Sequence, residues 1–314
     1  MRLVFLGTPE FAVPTLQAVA EAGHQVAAVF TQPDRSKGRG QKDTMPPVKA
    51  AALRLNLPVY QPERIRRPEV VEQLRTFAPE AMVVVGYGQI LPQPVLDIPP
   101  KGIINVHASL LPKYRGAAPI QWAIARGETR TGVTTMKIDA GLDTGAILLK
   151  WETEIGPEEN AIELGERLAR AGASLLVETL RGLPDIRPEP QDESEATWAP
   201  VLKREDGKID WSMPPRAIVN RVRGFQPWPG AYAYLGGQRL QVWAARPAGI
   251  GTPGTRGNGV DLAPGALRAA GRKLYAGCAG GAIELLEIQM EGKRRMPAAA
   301  FLNGFPLRGD EVLE

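Results

Sequence analysis

The chain opens on a short apolar run, residues 2–6, that stops at Gly7-Thr8-Pro9. A run of that length closed by a glycine turn reads as a buried strand. Thr8 is placed to cap a following helix, with Pro9 at its first position. Phe11, Leu16, Val19 and Ala20 give that helix one apolar face, and Gly23 ends it. Gln25–Phe30 reads as the next strand. The alternation then continues. Helices are predicted over 48–55 and 69–77, and buried strands over 81–85 and 101–107. A helix over 120–126, strands over 132–138 and 146–154, and a long helix over 161–181 follow. Strand and helix in turn predict an α/β fold with a parallel sheet covered on both faces.

The pattern changes after residue 182. The next 18 residues hold four prolines and a run of acidic side chains, without periodicity. They read as a linker. Beyond them come short apolar strands over 231–235, 240–245, 274–278 and 282–290, punctuated by Gly236-Gly237 and Gly280-Gly281. A small β-barrel of the oligonucleotide-binding (OB) type fits that pattern. The Gly- and Pro-rich stretch 247–265 reads as a long loop. The predicted organisation is therefore a first domain over 1–182, a linker over 183–204 and a second domain over 205–314.

Composition narrows the class. With 314 residues and 44% apolar content, the chain can bury two ordinary cores. No stretch approaches 18 uninterrupted apolar residues, and the N-terminal run is too short for a secretory signal, so the expected address is the cytoplasm. Cys278 is the one cysteine, and His24 and His107 are the two histidines. An internal disulfide is therefore excluded, and no zinc site built on several Cys or His ligands is expected. Net charge is +4, and it is uneven. Residues 201–314 hold 16 Lys and Arg against 10 Asp and Glu, while residues 1–200 hold 22 against 24. A basic C-terminal third suits an anionic partner such as nucleic acid, or simply a solvated Arg-rich surface.

The candidate chemistry begins at Asn105-Val106-His107. Residues two apart in a strand share a face, so Asn105 and His107 point the same way. Ligands bind at the carboxyl ends of such strands in open α/β sheets. A hydrogen-bonded core pair would explain the same two residues. The scarcity of histidine favours chemistry: His24 sits in a turn after a helix, which leaves His107 as the one candidate acid or base. Ser109-Leu110-Leu111-Pro112-Lys113-Tyr114-Arg115-Gly116 leaves the strand directly after it. Asp139-Ala140-Gly141-Leu142-Asp143-Thr144-Gly145 is a glycine-bearing loop between two strands. A calcium loop is rejected there, because position 12 from Asp139 is Lys150. Asp139 can equally cap its own turn.

Together these segments resemble the folate-dependent formyltransferases. That family combines an Asn-x-His strand end, a Ser-Leu-Leu-Pro-x-Tyr-x-Gly loop and an Asp in a glycine-rich loop, and here Asp143 follows His107 by 36 residues. Val29-Phe30-Thr31-Gln32-Pro33-Asp34 and Gly86-Tyr87-Gly88-Gln89-Ile90-Leu91-Pro92 extend the likeness. Lys208-Ile209-Asp210-Trp211, Gln226-Pro227-Trp228-Pro229-Gly230 and Glu291-Gly292-Lys293 are similar to the members that act on tRNA.

The resemblance implies a Rossmann-like parallel-sheet formyltransferase domain followed by a small OB-like tRNA-binding domain. It implies 10-formyltetrahydrofolate as co-substrate, no metal, and methionyl-initiator tRNA as acceptor, with the protein acting as a monomer. Asn105 and His107 would stabilise the formyl oxygen, and Asp143 would either orient His107 or relay a proton. Ser109, Leu110, Leu111 and Pro112 would border tetrahydrofolate, together with Gln89, Ile90, Leu91 and Asp139. The basic loop carrying Arg35, Lys37, Arg39 and Lys42 would meet the acceptor stem. Arg221, Arg223, Arg239, Lys293, Arg294 and Arg295 are candidate phosphate contacts. A formyltransferase for glycinamide ribonucleotide normally ends near the first domain. Sugar-nucleotide formyltransferases and formyltetrahydrofolate hydrolases share the body without needing the basic loop. A non-catalytic RNA-binding protein would not need Asn105, His107 and Asp143 together.

Overall fold

The computed structural model describes residues 1–37, 42–248, 255–256, 259–260 and 262–314. The chain divides into two compact units. One comprises Met1–Pro119, Arg130–Thr153 and Gly165–Ala199, the other Ile120–Thr129, Glu154–Leu164 and Pro200–Glu314.

The strands of the first unit are β1 (Arg2–Gly7), β2 (Gln25–Phe30), β3 (Arg35–Lys37), β4 (Lys42–Thr44), β5 (Val59–Tyr60), β6 (Ala81–Val85), β7 (Ile103–His107), β8 (Arg115–Gly116), β9 (Arg130–Lys137), β10 (Ile147–Glu154) and β11 (Trp198–Ala199). Its helices are α1 (Val13–Glu21), α2 (Pro47–Arg54), α3 (Pro68–Thr76) and α4 (Gln93–Leu96), while α5 (Pro119–Ala125) and α6 (Ala161–Gly182) contain residues of both units. The main sheet has the order β10-β9-β7-β6-β1-β2-β5. β1 pairs in parallel with β2 and β6, β2 with β5, and β6 with β7. All residues of β6 and β7 are buried, as expected for strands covered on both faces. One end departs from the all-parallel expectation, since β9 runs antiparallel to β7. Antiparallel strands at one end of an otherwise parallel sheet are common.

The chain leaves β1 on one side for β2 and β5, then returns on the other for β6 and β7. Such a reversal opens a crevice at the carboxyl ends of the central strands. Side chains at those ends are tied together. The Thr8 hydroxyl donates to the Tyr87 carbonyl at 3.0 Å and accepts from the Gln32 backbone at 3.3 Å. Thr8 therefore does not cap a helix. A 3-10 turn, Glu10–Ala12, intervenes, and α1 begins only at Val13.

The stretch expected as a linker is packed into the first unit as far as Ala199. Glu189 bridges Ile147, and β11 pairs in parallel with β8. Prolines hold a chain extended, and an extended chain can add to a free strand edge, so the composition of a linker also suits a strap.

In the second unit, β12 (Ala231–Leu235), β13 (Gln238–Pro247), β16 (Leu267–Ala270), β17 (Lys273–Cys278), β18 (Gly281–Met290) and β19 (Met296–Pro297) form an antiparallel sheet. Its order is β12-β13-β18-β17-β16, with β19 on β18. The helices α7 (Pro215–Gly224) and α8 (Ala298–Gly304), which the apolar pattern did not announce, supply Ile218, Val219, Val222 and Phe301 to its core. β14 (Thr255–Arg256) and β15 (Gly259–Val260) pair within the expected loop, the rest of whose tip lies outside the described residues. The expected closed barrel is not found: among the described residues, β12 and β16 form no ladder with each other. Residues 311–314 instead reach both edges. Glu314 exchanges backbone hydrogen bonds with Tyr234, and Leu313 donates to Gly265.

Gly132 shows how tightly the β9 end of the first sheet is built. A Cβ there would meet the Trp151 carbonyl at 2.0 Å, and that carbonyl is backbone that cannot swing away. Gly132→Ala is expected to destabilise the protein by about 1–3 kcal/mol, the usual cost of forced overpacking, read as a lowered Tm with unchanged far-UV dichroism. A variant melting with the wild type would contradict this packing.

Candidate active site

Asn105 and His107 lie on one face at the carboxyl end of β7, both buried, as strand alternation requires. On the neighbouring strand β9, Met136 faces Asn105 and Thr134 faces His107. Thr134 also sets the loop that leaves β7. Its hydroxyl donates to the Ser109 carbonyl at 2.7 Å and accepts from the Leu111 backbone at 3.2 Å. The Ser109 hydroxyl closes the same turn on the Lys113 carbonyl at 2.6 Å. Tyr114 follows with φ of 61°, in the left-handed region. For a bulky residue that conformation costs about 1–3 kcal/mol and persists only where the surroundings demand it. Here both of its backbone groups are held. Its N–H donates to the Thr197 hydroxyl at 2.8 Å, and its carbonyl lies 2.9 Å from His107 Nε2.

A carbonyl can only accept, so His107 Nε2 carries a hydrogen. Nδ1 is then the atom left for proton exchange, and it lies 3.6 Å from Asp143 Oδ2. That separation is longer than a hydrogen bond, so the Nδ1 side is the open side of the ring. Asp143 itself has φ of 54°, and its Oδ2 accepts the Gly116 N–H at 2.8 Å. Gly116 is required there. Its φ is +117°, and a Cβ would meet the Ala199 carbonyl at 2.6 Å. Asn105 is 9% exposed and shares its strand face with His107, so its side-chain amide stands at the mouth of this corner. A donor beside an imidazole and a carboxylate can meet an oxygen that gains negative charge.

The other expected residues divide by environment. Ile90 is 85% exposed and Leu142 56%, so both offer apolar surface to a flat ring. Leu110 is half-buried. Leu111 is fully buried against Met136 and Ile147, and Ser109, Pro112 and Leu91 are buried too. The Gln89 side chain clamps a neighbouring loop, accepting from Ile65 N–H at 2.7 Å, which leaves the 89–91 backbone as the surface on offer. Asp139 caps its own loop, accepting from Gly141 N–H at 3.0 Å and the Thr144 hydroxyl at 2.7 Å. Among the described residues, no group of three or more His, Cys, Asp or Glu is placed to hold a metal, and no helix is long and apolar enough to cross a membrane.

The basic candidates also separate. Arg35 begins the β3–β4 hairpin, in which Lys37 and Lys42 are cross-strand partners. Arg39 lies outside the described residues. Asp34 anchors the approach to this hairpin. It pairs with Lys49 at 2.6 Å, and that hydrogen bond holds its carboxyl below the usual range. Lys293 and Arg294 are exposed. Arg223 is not a phosphate contact: it is buried and donates to the carbonyls of Gly156 and Glu159, each at 2.9 Å. Arg221 donates to the Asp206 carbonyl at 3.3 Å and lies over the Phe225 ring. Arg239 lies 4.1 Å over Tyr232, and Arg295 pairs with Glu287 at 2.8 Å. Backbone carbonyls, ring faces and a carboxylate claim these four, which sequence spacing cannot reveal.

Sequence reasoning passed over a further set of groups around Asp143. Arg115, 1% exposed, binds Gln191 and Glu193, and Gln191 binds the backbone on either side of Thr144. Arg115 stands in the loop that follows β7, but its partners lie 76 and 78 residues away in the expected linker, where no spacing rule reaches.

Known proteins resemble the chain over its whole length. The formyl transferase family profile matches residues 1–180, and the formyl transferase C-terminal domain profile matches residues 201–306. A methionyl-tRNA formyltransferase of Solibacter usitatus is 63% identical, over 100% of this chain and 98% of its own length. One from Koribacter versatilis is 55% identical, over 97% and 96%. Among solved structures, HypX from Aquifex aeolicus in complex with tetrahydrofolic acid shares the fold with a TM-score of 0.63. It is 18% identical, over 99% of this chain and 48% of its own. With both parts matched in order and relatives this similar from end to end, the chain belongs to the methionyl-tRNA formyltransferases of the formyl transferase family.

Proposed function

We infer that this chain transfers the formyl group of 10-formyltetrahydrofolate to the free amino group of methionyl-initiator tRNA. The observation that carries the reading is Asn105 on the same strand face as His107, with Asp143 3.6 Å from the imidazole, at the end of β7. The acceptor follows from relatives that share 50–63% of their residues over nearly the whole chain.

Acyl transfer to an amine makes three demands. The formyl oxygen gains negative charge as nitrogen attacks, the amine must shed a proton, and water must be kept from the donor. Asn105 answers the first with its side-chain N–H. His107 answers the second through Nδ1, with its ring orientation fixed from the other side by the Tyr114 carbonyl. Asp143 stands across from Nδ1, where its carboxylate can orient the ring or receive the amine's proton. At 3.6 Å Nδ1 and Oδ2 are too far apart for a direct hydrogen bond, and a water or the amine itself, bound to both from the open side, would carry the proton. Tetrahydrofolate is proposed to lie across the exposed side chains of Ile90 and Leu142, the Leu110 edge, and the backbone of Gln89, Ile90 and Leu91. Ser109, Leu111, Pro112 and Asp139 shape this cleft from below by holding its two loops. Arg35, Lys37, Arg39 and Lys42 are proposed to take acceptor-stem phosphates, with Lys293 and Arg294 as further contacts. The C-terminal unit is read as OB-like, on the ground that its last residues join both edges of its sheet.

Asn105→Ala, His107→Ala and Asp143→Ala are each expected to lower single-turnover formyl transfer by about 10²–10³, the usual loss of one charge-stabilising group. A folded His107→Ala protein with near-normal turnover would refute the assignment. Offering charged initiator tRNA, a nucleotide-linked amino sugar or water alone beside the formyl donor separates the readings. Transfer to the sugar, or RNA binding without transfer, would favour the alternatives.

Neutralising Arg35, Lys37, Arg39 and Lys42 together is expected to raise the apparent KM for tRNA and flatten its salt dependence, with folate binding within about twofold. Removing one phosphate interaction lowers the slope of log K against log salt by about one unit. Equal loss of tRNA and folate binding would contradict the role of the loop.

A further inference from the structure

We propose that Gln191 is a positioning residue of the reaction, setting the Asp143 carboxylate beside His107, and that Arg115 dictates which way the Gln191 amide faces. The inference rests on the site reading above, since it concerns a residue that acts through Asp143.

The hydrogen bonds around Gln191 allow one orientation. A guanidinium only donates, so the amide oxygen must face Arg115. It does so, accepting from Arg115 Nε at 3.0 Å and Nη2 at 2.8 Å. The amide nitrogen is thereby turned the other way. Its two hydrogens meet the carbonyls of Asp143 and Gly145, each at 2.8 Å. All four hydrogen-bonding capacities of the side chain are filled. Arg115 is held in turn by Glu193, whose carboxylate takes Nη1 at 2.8 Å and Nη2 at 2.7 Å. That bond raises the Arg115 pKa against burial, so the cation is secure.

The consequence falls on Asp143. Its backbone stands in the left-handed region, which aspartate tolerates better than most residues, so its side chain is placed by the groups that bind it. Gln191 pins its carbonyl end, and the Gly116 N–H pins its Oδ2. Arg115 and Gly116 are consecutive, so one two-residue strand sets both supports. Release of the Gln191 bonds leaves Oδ2 tethered at one point, and its distance to Nδ1 is then no longer fixed. Misplacement of a reacting group by about 1 Å can cost about 10²-fold in rate.

The test is a double-mutant cycle in the full-length enzyme with 10-formyltetrahydrofolate and methionyl-initiator tRNA. Gln191→Leu removes the bonds. Gln191→Glu keeps size and the Arg115 contact but sets one carboxylate oxygen against two carbonyls, and serves if the leucine variant folds poorly. Each is expected to lower kcat by about 10- to 100-fold with both KM values within about twofold. The midpoint of kcat against pH should move, because the charge beside His107 has moved; a merely structural role would not shift it. In the Asp143→Ala background, Gln191→Leu is expected to cost less than about twofold more, as residues acting through one group are non-additive. Independent multiplying losses would overturn the proposal, as would Gln191→Leu and Gln191→Glu enzymes with wild-type kcat. An Asp143→Ala enzyme with unimpaired turnover would instead overturn the site reading, and this inference with it.

Discussion

The Gly116 N–H to Asp143 Oδ2 hydrogen bond is the contact on which the site depends. Without it the His107–Asp143 pair has no fixed separation, since the 3.6 Å between them is too long to hold itself. The bond exists because a two-residue strand, β8, is drawn against β11 in a register that only a glycine permits at position 116. The same pairing turns Tyr114 into its unusual conformation and aims its carbonyl at His107. Three features that look separate in the chain are thus one structural event: a strained tyrosine, a glycine with positive φ and a carboxylate near an imidazole.

That event is secured electrostatically. Arg115 is a buried cation, and burial of an unpaired charge costs several kcal/mol. Glu193, 70% exposed, keeps contact with water while neutralising it, and this lessens the desolvation of the pair. The carboxyl of Glu193 is held below its usual range chiefly by its hydrogen bonds to Arg115, so the pair is intact at neutral pH and is lost as pH falls through that lowered value. The strap from residue 189 to residue 199 therefore carries a charge, an amide and a hydroxyl into one corner of the first unit.

The arginines show a division of labour that composition conceals. The C-terminal excess of positive charge is real, yet several of its members are committed to the protein itself. Arg223 satisfies carbonyls that a loop leaves open, while Arg239 and Arg295 lie on aromatic faces. Lys293 and Arg294 stay exposed just after a glycine turn. A charge count sums all of these, whereas a phosphate meets only those not already engaged.

The sequence by itself determined the α/β alternation, the strand bearing Asn105 and His107, and the run of short strands in the later unit. These are local or periodic properties, written in residues two or four apart, and the structure moves their boundaries by only a few positions. It also singled out Asp143, through the likeness of three motifs together. Tertiary structure alone decided what holds Asp143, because Arg115, Gln191 and Thr197 meet across more than 70 residues of chain. It decided that the acidic, proline-rich stretch is a strap, since an extended segment reads the same whether solvated or paired. It also decided that Thr8 ties strands together instead of capping a helix, because a hydroxyl takes whichever partner the fold brings to it. Spacing along the chain can name candidate reacting groups, but the distances between them are set by contacts that only folding makes.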